Sequence, residues 1–175
     1  GWFGWESYPI ALFDNSEEGM KMTADMRRYG CNTRFVTNTS EGGTNLLKVT
    51  HDLDENGNPK RRFSKRHAPG SGFPKDKAFT VMGKDATLPK FIQQLDFIPD
   101  VYFFESATAA WRDLGKWMRS QGVLVYYEIQ RMYQKEFPKY LKCMKESDIV
   151  KFSDEAVEDL SFVDELKEKL VIQTL

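Results

Sequence analysis

Cysteine and histidine are scarce in this chain. Cys31 and Cys143 are its two cysteines, and they form no Cys-x-x-Cys pair. That excludes a disulfide scaffold and reads as a reducing, intracellular compartment. His51 and His67 are the two histidines, with no Cys or His neighbour at ligand spacing, so no zinc site is expected. No apolar run approaches the length of a membrane span. The start, Gly1-Trp2-Phe3-Gly4-Trp5, has neither a basic region nor a long apolar stretch, so no secretory signal is read and a cytoplasmic location is expected. Charge of one sign is missing too: 25 Lys and Arg stand against 26 Asp and Glu, which excludes a globally basic nucleic-acid binder and an acidic disordered tail. Gly70-Ser71-Gly72 lacks the third glycine of a dinucleotide fingerprint, and Pro74 blocks an immediate helix.

What is present is a clear alternation of elements. Tyr8 to Leu12 reads as a short strand, and Asp14-Asn15-Ser16 can cap a helix with Glu17 and Glu18 in its first turn. Met22, Met26 and Tyr29 share one helical face, read as core, and Gly30 ends the helix. Thr33 to Thr37 is a strand candidate. Asn45 to Leu53 and Arg61 to His67 flank Asp54-Glu55-Asn56-Gly57-Asn58, a hairpin signal, and their polar residues predict a sheet with one wet face. Ala68 to Lys77 reads as a loop, and Thr87-Leu88-Pro89 as a helix start with Phe91, Ile92 and Leu95 on its apolar face.

Two continuous apolar runs follow, Val101–Phe104 and Val123–Tyr127, and Ile149–Phe152 reads as a third strand. Ala110, Leu114, Trp117 and Met118 mark a helix between the first two, stopped by Gly122. Phe137, Leu141 and Met144 mark another before the third. Residues 154–168 read as an acidic helix and Leu170 to Gln173 as a last strand. Continuous apolar strands alternating with helices predict a parallel sheet covered on both faces.

Ligands bind beyond the carboxyl ends of such strands. Those ends carry Glu105; Glu128, Gln130 and Arg131; Ser153 and Asp154; and Thr174. Polar residues are also simply what loops contain, and Ser106 and Ser153 serve equally as helix caps. Glu105, lodged between Phe104 and a helix start, needs a partner if buried. The cluster Lys60-Arg61-Arg62 and Lys65-Arg66-His67 offers charge to phosphates, but in a chain of neutral net charge it reads as a solvated hairpin edge. Nucleic acid is not expected as a partner.

Taken in order, these pieces resemble the ribokinase/PfkB family of carbohydrate kinases. Phe13-Asp14-Asn15 looks like the family's Gly-Asp-Asp turn, and Gly30-Cys31-Asn32-Thr33 like its Gly-Val-Asp-Thr segment. Gly42-Gly43-Thr44 resembles the Thr-Gly that opens the lid strand, and Asp54 to Phe63 resembles the Gly-x-Arg-x-Phe hairpin. Phe103-Phe104-Glu105-Ser106 resembles the strand end that carries a sugar-binding acid. Glu128-Ile129-Gln130 stands where many members have Asp-Pro-Asn. Ser147-Asp148-Ile149-Val150-Lys151-Phe152-Ser153-Asp154-Glu155 resembles the Ala-Asp-Ile-x-x-x-Asn-x-x-Glu strand, and Val171-Ile172-Gln173-Thr174-Leu175 the strand leading to Thr-Leu-Gly.

The resemblance implies an α/β, ribokinase-like fold: a mostly parallel sheet with flanking helices plus a small β lid. It divides the chain into a core of residues 1–32 and 68–175 and a lid of 33–67. It implies phosphoryl transfer from ATP, with Mg2+, to a sugar hydroxyl, and raises a homodimer through the lid. It places Asn45, Leu47, Glu105, Glu128 and Gln130 against the sugar, and Ser153, Asp154 and Thr174 on the nucleotide side. The sequence departs from the family at three places. The Gly-Gly-Asn sugar segment and the Gly-Ala-Gly-Asp motif with the general base have no counterpart, and Asn-x-x-Glu becomes Ser153-Asp154-Glu155-Ala156. The expectation is therefore part of a larger sugar kinase, inactive as 175 residues, or else a non-catalytic binding or assembly protein of the same fold.

Overall fold

The computed structural model describes residues 4–39, 46–66, 92–130, 132–153, 156–157 and 160–174. The chain divides into two units, Gly1–Val81 and Met82–Leu175.

The first unit opens with a strand, helix, strand crossover. Strand β1 spans Ala11–Asp14, helix α1 Glu17–Arg28 and strand β2 Val36–Thr39, and β1 pairs with β2 in parallel, Ala11 opposite Val36. The first strand begins later than the apolar run predicts, because Pro9 offers no N–H to a ladder. Ser16 caps α1: its Oγ accepts from the Gly19 N–H at 3.1 Å and donates to the carboxylate of the buried Asp14. Gly30, at φ 80°, closes the helix; the Gly30 N–H reaches the Arg27 carbonyl and the Cys31 N–H the Met26 carbonyl, both at 2.9 Å. Two expectations fail here. The residues read as the start of a strand, Thr33–Phe35, form a 3₁₀ turn because the Asn32 side chain accepts from the Arg34 N–H at 3.3 Å. The methionine stripe is not core: Met22 and Tyr29 are exposed, and α1 buries Gly19 and Thr23. A two-stranded sheet covers only a narrow stripe of a helix, and these small residues occupy it.

The hairpin forms as predicted. Strands β3, Leu46–Leu53, and β4, Pro59–Arg66, pair antiparallel with Leu53 opposite Pro59. Asp54 holds the loop: its Oδ1 accepts from the Asn56 and Asn58 N–H groups at 2.8 and 2.9 Å, and Gly57 supplies a φ of 81°. Residues 67–91, with the predicted loop and the start of the next helix, lie outside the described residues; Ile92, Gln93 and Gln94 are helical.

The second unit is a four-stranded parallel sheet in chain order, β5-β6-β7-β8. The strands are Val101–Phe104, Leu124–Ile129, Ile149–Ser153 and Leu170–Thr174. Helix α2, Ala109–Ser120, links β5 to β6, and helix α3, Phe137–Lys145, links β6 to β7. The stretch expected to be a long acidic helix contains instead a 3₁₀ segment, Ser161–Leu166, with no side-chain cap. Phe162 anchors it, with ring centroids 5.9 Å from Phe137 and 5.8 Å from Phe152. Helix α2 starts from Thr108 and not from Ser106.

Right-handed crossovers that advance one way bring their helices to one face. Burial alternates accordingly. Tyr102, Phe104, Val125, Tyr127, Ile129, Val150 and Phe152 are buried beneath Leu114, Met118, Cys143 and Met144 of the helices. Gly115 of α2 faces the rings: a Cβ there would be in ordinary van der Waals contact, 3.4 Å from the Tyr102 ring and 3.5 Å from that of Phe104. The other face is the more open of the two: Phe103 and Leu124 on it are 49% and 42% exposed. Asp148 ties the strand starts together: its Oδ2 accepts from the Val125 N–H at 2.9 Å, its Oδ1 pairs with Arg119 at 3.0 Å, and its carbonyl accepts from the Leu170 N–H at 3.1 Å.

Two buried tyrosines differ in a testable way. The Tyr102 hydroxyl donates to the Trp111 carbonyl at 3.2 Å, whereas the buried Tyr127 hydroxyl has no hydrogen-bond partner among the described residues. Burial raises the pKa of both. A buried polar group without a partner costs stability, and a paired one contributes about 1 kcal/mol. In urea unfolding, Tyr127→Phe is expected to leave stability unchanged or raised, and Tyr102→Phe to lower it by about 1 kcal/mol. A Tyr127→Phe loss as large as that of Tyr102→Phe contradicts the assignment.

The hairpin loop is also pH-dependent. Hydrogen bonds from Asn58, first through its backbone N–H and then its side chain, lower the Asp54 pKa below its usual value of 3.8. A carboxyl whose folded pKa is depressed stabilises the fold above its unfolded value and ceases to do so as pH falls through the folded one. The protection factors of the Asn56 and Asn58 amides, taken against their intrinsic exchange rates, should therefore fall as the pH drops below 3.8 and stay low at every pH in Asp54→Ala.

Candidate functional site at the carboxyl rim

Side chains of a strand alternate between faces. With Tyr102 and Phe104 buried, Glu105 follows Phe103 onto the open face. With Val125, Tyr127 and Ile129 buried, Glu128 and Gln130 share that face. With Val150 and Phe152 buried, Lys151 and Ser153 do so on β7. Register then sets neighbours: Glu128 stands opposite Lys151, and Ser153 opposite Thr174. The open face is thus graded. Its amino-terminal half is apolar, where Phe103 meets Tyr126 edge-on at 5.3 Å, and its carboxyl rim is polar.

Two contacts organise the rim. The Gln130 side-chain amide donates to Glu105 Oε2, joining the ends of β5 and β6. The Lys151 ammonium pairs with Glu128 Oε1 at 2.9 Å, joining β6 to β7. Lys151 has its pKa raised by its hydrogen bond to Glu128 and then by that carboxylate's charge, so it stays a cation at neutral pH. Thr174 Oγ1 lies 3.5 Å from the Phe152 carbonyl. Among the described residues the rim offers acceptors and an amide for hydroxyls, the hydroxyls of Ser153 and Thr174, and the ammonium of Lys151.

Of the residues chosen from sequence, Glu105 and Gln130 are brought together, Glu128 lies beside them on the same face, and Ser153 and Thr174 are cross-strand neighbours. Leu47 sits in β3 opposite Lys65, in the first unit. Asn45 and Asp154 lie outside the described residues, and so does Arg131. Lys151 was missed. Its signal is a charge inside the apolar run Ile149-Val150-Lys151-Phe152, which must find a partner on the sheet. Among the described residues no group of three or more His, Cys, Asp or Glu side chains could hold a metal ion.

No family model matches the chain, and no curated protein matches it. Solved structures do. The fructokinase of Xylella fastidiosa superposes with a TM-score of 0.67 at 16% identity, over 96% of this chain and 54% of that one. A form of it with bound ATP gives a TM-score of 0.61 at 16% identity, over 94% and 54% of the two chains. The apo fructokinase of Vibrio cholerae O395 gives 0.66 at 16% identity, over 99% and 62%. The PfkB protein of Polaromonas sp. JS666 gives 0.63 at 17% identity, over 98% and 61%. The chain therefore has a ribokinase-like α/β fold, that of the PfkB sugar kinases, and spans between half and two thirds of the length of these structures.

The Glu128–Lys151 pair is partly exposed, 29% and 30% of the two side chains, and ion pairs at such sites contribute little. Lys151→Met and Glu128→Gln should each keep the thermal midpoint within about 2 °C of the parent protein. A fall of about 10 °C in either would make the pair a structural strut and not a feature of the site.

Proposed function

We propose that this chain is part of an ATP-dependent carbohydrate kinase, supplying its sugar pocket and the near side of its phosphate site. The observation that carries the reading is the polar carboxyl rim, led by the Glu105–Gln130 contact, on a ribokinase-like fold. Carboxylates and amides on one rigid sheet edge suit a polyol, because each hydroxyl both donates and accepts. In this reading Glu105, Glu128 and Gln130 bind sugar hydroxyls. Residues 33–67 are a lid that brings Asn45 and Leu47 to the sugar, while 1–32 and 68–175 form the core. Ser153, Asp154 and Thr174 lie toward the phosphates of ATP, which enters with Mg2+ and supplies the phosphoryl group. Ser153 and Thr174 provide hydroxyl donors there. Pairing through the lid would give a homodimer, and the setting is the cytoplasm.

Catalysis of this kind rests on positioning and on stabilising charge, with a base to take the hydroxyl proton. The sequence has no Gly-Ala-Gly-Asp to supply that base. A second reading, a non-catalytic binding or assembly protein of the same fold, is favoured by Ser153-Asp154-Glu155-Ala156 in place of Asn-x-x-Glu. A Gly-Ala-Gly-Asp in the gene beyond the codon for Leu175 would decide for the enzyme, and its absence for the binder.

The test is calorimetry of the 175-residue chain with a panel of neutral hexoses and pentoses, alongside a phosphorylation assay with ATP. The expected result is no turnover, together with binding of at least one sugar that Glu105→Ala weakens about tenfold, the loss of one charge-assisted hydrogen bond. Sugar affinity unchanged in Glu105→Ala, or no binding of any sugar far above about 1 mM, overturns the sugar pocket. Turnover by the chain alone overturns the argument from the missing base.

A further inference from the structure

Charge is not balanced evenly along the rim. Glu128 stands opposite Lys151 and pairs with its ammonium at 2.9 Å, so those two charges cancel. Glu105 has a different partner, the Gln130 side-chain amide, which donates a hydrogen bond and brings no charge. Of Glu105, Glu128, Gln130, Lys151, Ser153 and Thr174, Lys151 is the only cation, and it is committed to Glu128. Among the described rim residues the Glu105 carboxylate is therefore an uncompensated negative charge, at an exposed strand end.

Its hydrogen-bonding capacity is equally one-sided. An ionised carboxylate only accepts, with about four lone-pair positions, and Gln130 fills one of them. Because the Gln130 amide nitrogen turns to Glu105, the amide oxygen remains as a further acceptor. A hydroxyl brought here gives one hydrogen and must place its own lone pairs elsewhere. An ammonium has three donors, no acceptor and a positive charge. One alternation inward on the same face stands Phe103, 49% exposed and edge-on to Tyr126 at 5.3 Å. That neighbourhood is aromatic, and ring faces attract cations.

We propose that the Glu105–Gln130 pair is an ammonium subsite, so that this rim prefers an amino sugar to its neutral counterpart. The inference rests on the sugar-pocket reading for where the ligand sits and goes beyond it by naming the ligand's charge. A carboxylate that only accepts from a hydroxyl treats a sugar and its amino analogue nearly alike. An ammonium subsite favours the amine and loses that preference with the carboxylate charge.

The test is calorimetric titration of the full 175-residue chain and its Glu105→Gln variant with glucosamine, galactosamine, mannosamine and fructosamine. Each is compared with its neutral hexose and its N-acetyl derivative, and ethanolamine serves as a plain amine. Thermal unfolding checks that the variant is folded; if it is not, the amine and N-acetyl comparison in the parent protein decides. The expected result is that at least one amino hexose binds about tenfold or more tighter than its neutral counterpart. N-acetylation abolishes that gain, and Glu105→Gln cancels it while neutral-hexose affinity falls by a smaller factor. Equal affinity for amino and neutral hexoses overturns the proposal, as does a preference that survives Glu105→Gln or N-acetylation. If neutral hexoses still bind in those cases, the sugar pocket stands and this inference alone is lost. Ethanolamine bound through Glu105 as tightly as the amino hexoses sinks the sugar reading and leaves the ammonium subsite. No binding of any of these ligands overturns both.

Discussion

The stacking of Phe104 on Tyr127, ring centroids 4.7 Å apart, decides the orientation of every side chain on the two strands that carry them. Strand side chains alternate strictly, so a one-residue slip would turn the rings to solvent and the charges into the core. The aromatic face continues through Tyr102 and on to Phe152 and Phe162, and burial of such rings dominates the energetics of a small sheet. Glu105, Glu128, Gln130 and Lys151 meet on the opposite face because these rings cannot be there. The site is a by-product of the core's register, and a large-to-small change at Phe104 or Tyr127 would disturb it without touching it.

A smaller device maintains that register. Asp148 works at the amino ends of the strands, where it takes the Val125 N–H while its own N–H reaches the Val125 carbonyl at 2.8 Å. A residue that exchanges both bonds with its neighbour strand permits no slip. The polar rim inherits its precision from contacts at the other end of the same strands.

Much of this was legible in the residues. The apolar runs mark β5 to β8, Asn56-Gly57 marks the hairpin, and Ser16 and Gly30 mark the ends of α1. These signals are local: a turn, a cap or a run of ring-bearing residues speaks for itself. What failed was relational. Met22 and Tyr29 have the spacing of a buried stripe, yet what covers them is decided by how wide a sheet lies beneath the helix. Glu105 was visible as an acid after an apolar run, but its partner Gln130 is 25 residues away and only strand order brings it near. Lys151 was hidden by its setting, a single charge in a hydrophobic strand whose partner lies on another.

The order β5-β6-β7-β8 follows the chain without a reversal. Each strand, as it emerges during synthesis, finds its hydrogen-bonding partner already made and needs no strand still to come. Every loop that must close spans one crossover, so the entropy of closure is met in small instalments and contact order stays low. The second unit is therefore suited to grow by accretion from β5 outward. At each stage the newest strand offers the edge on which the next one pairs, β5 to β6, β6 to β7 and β7 to β8.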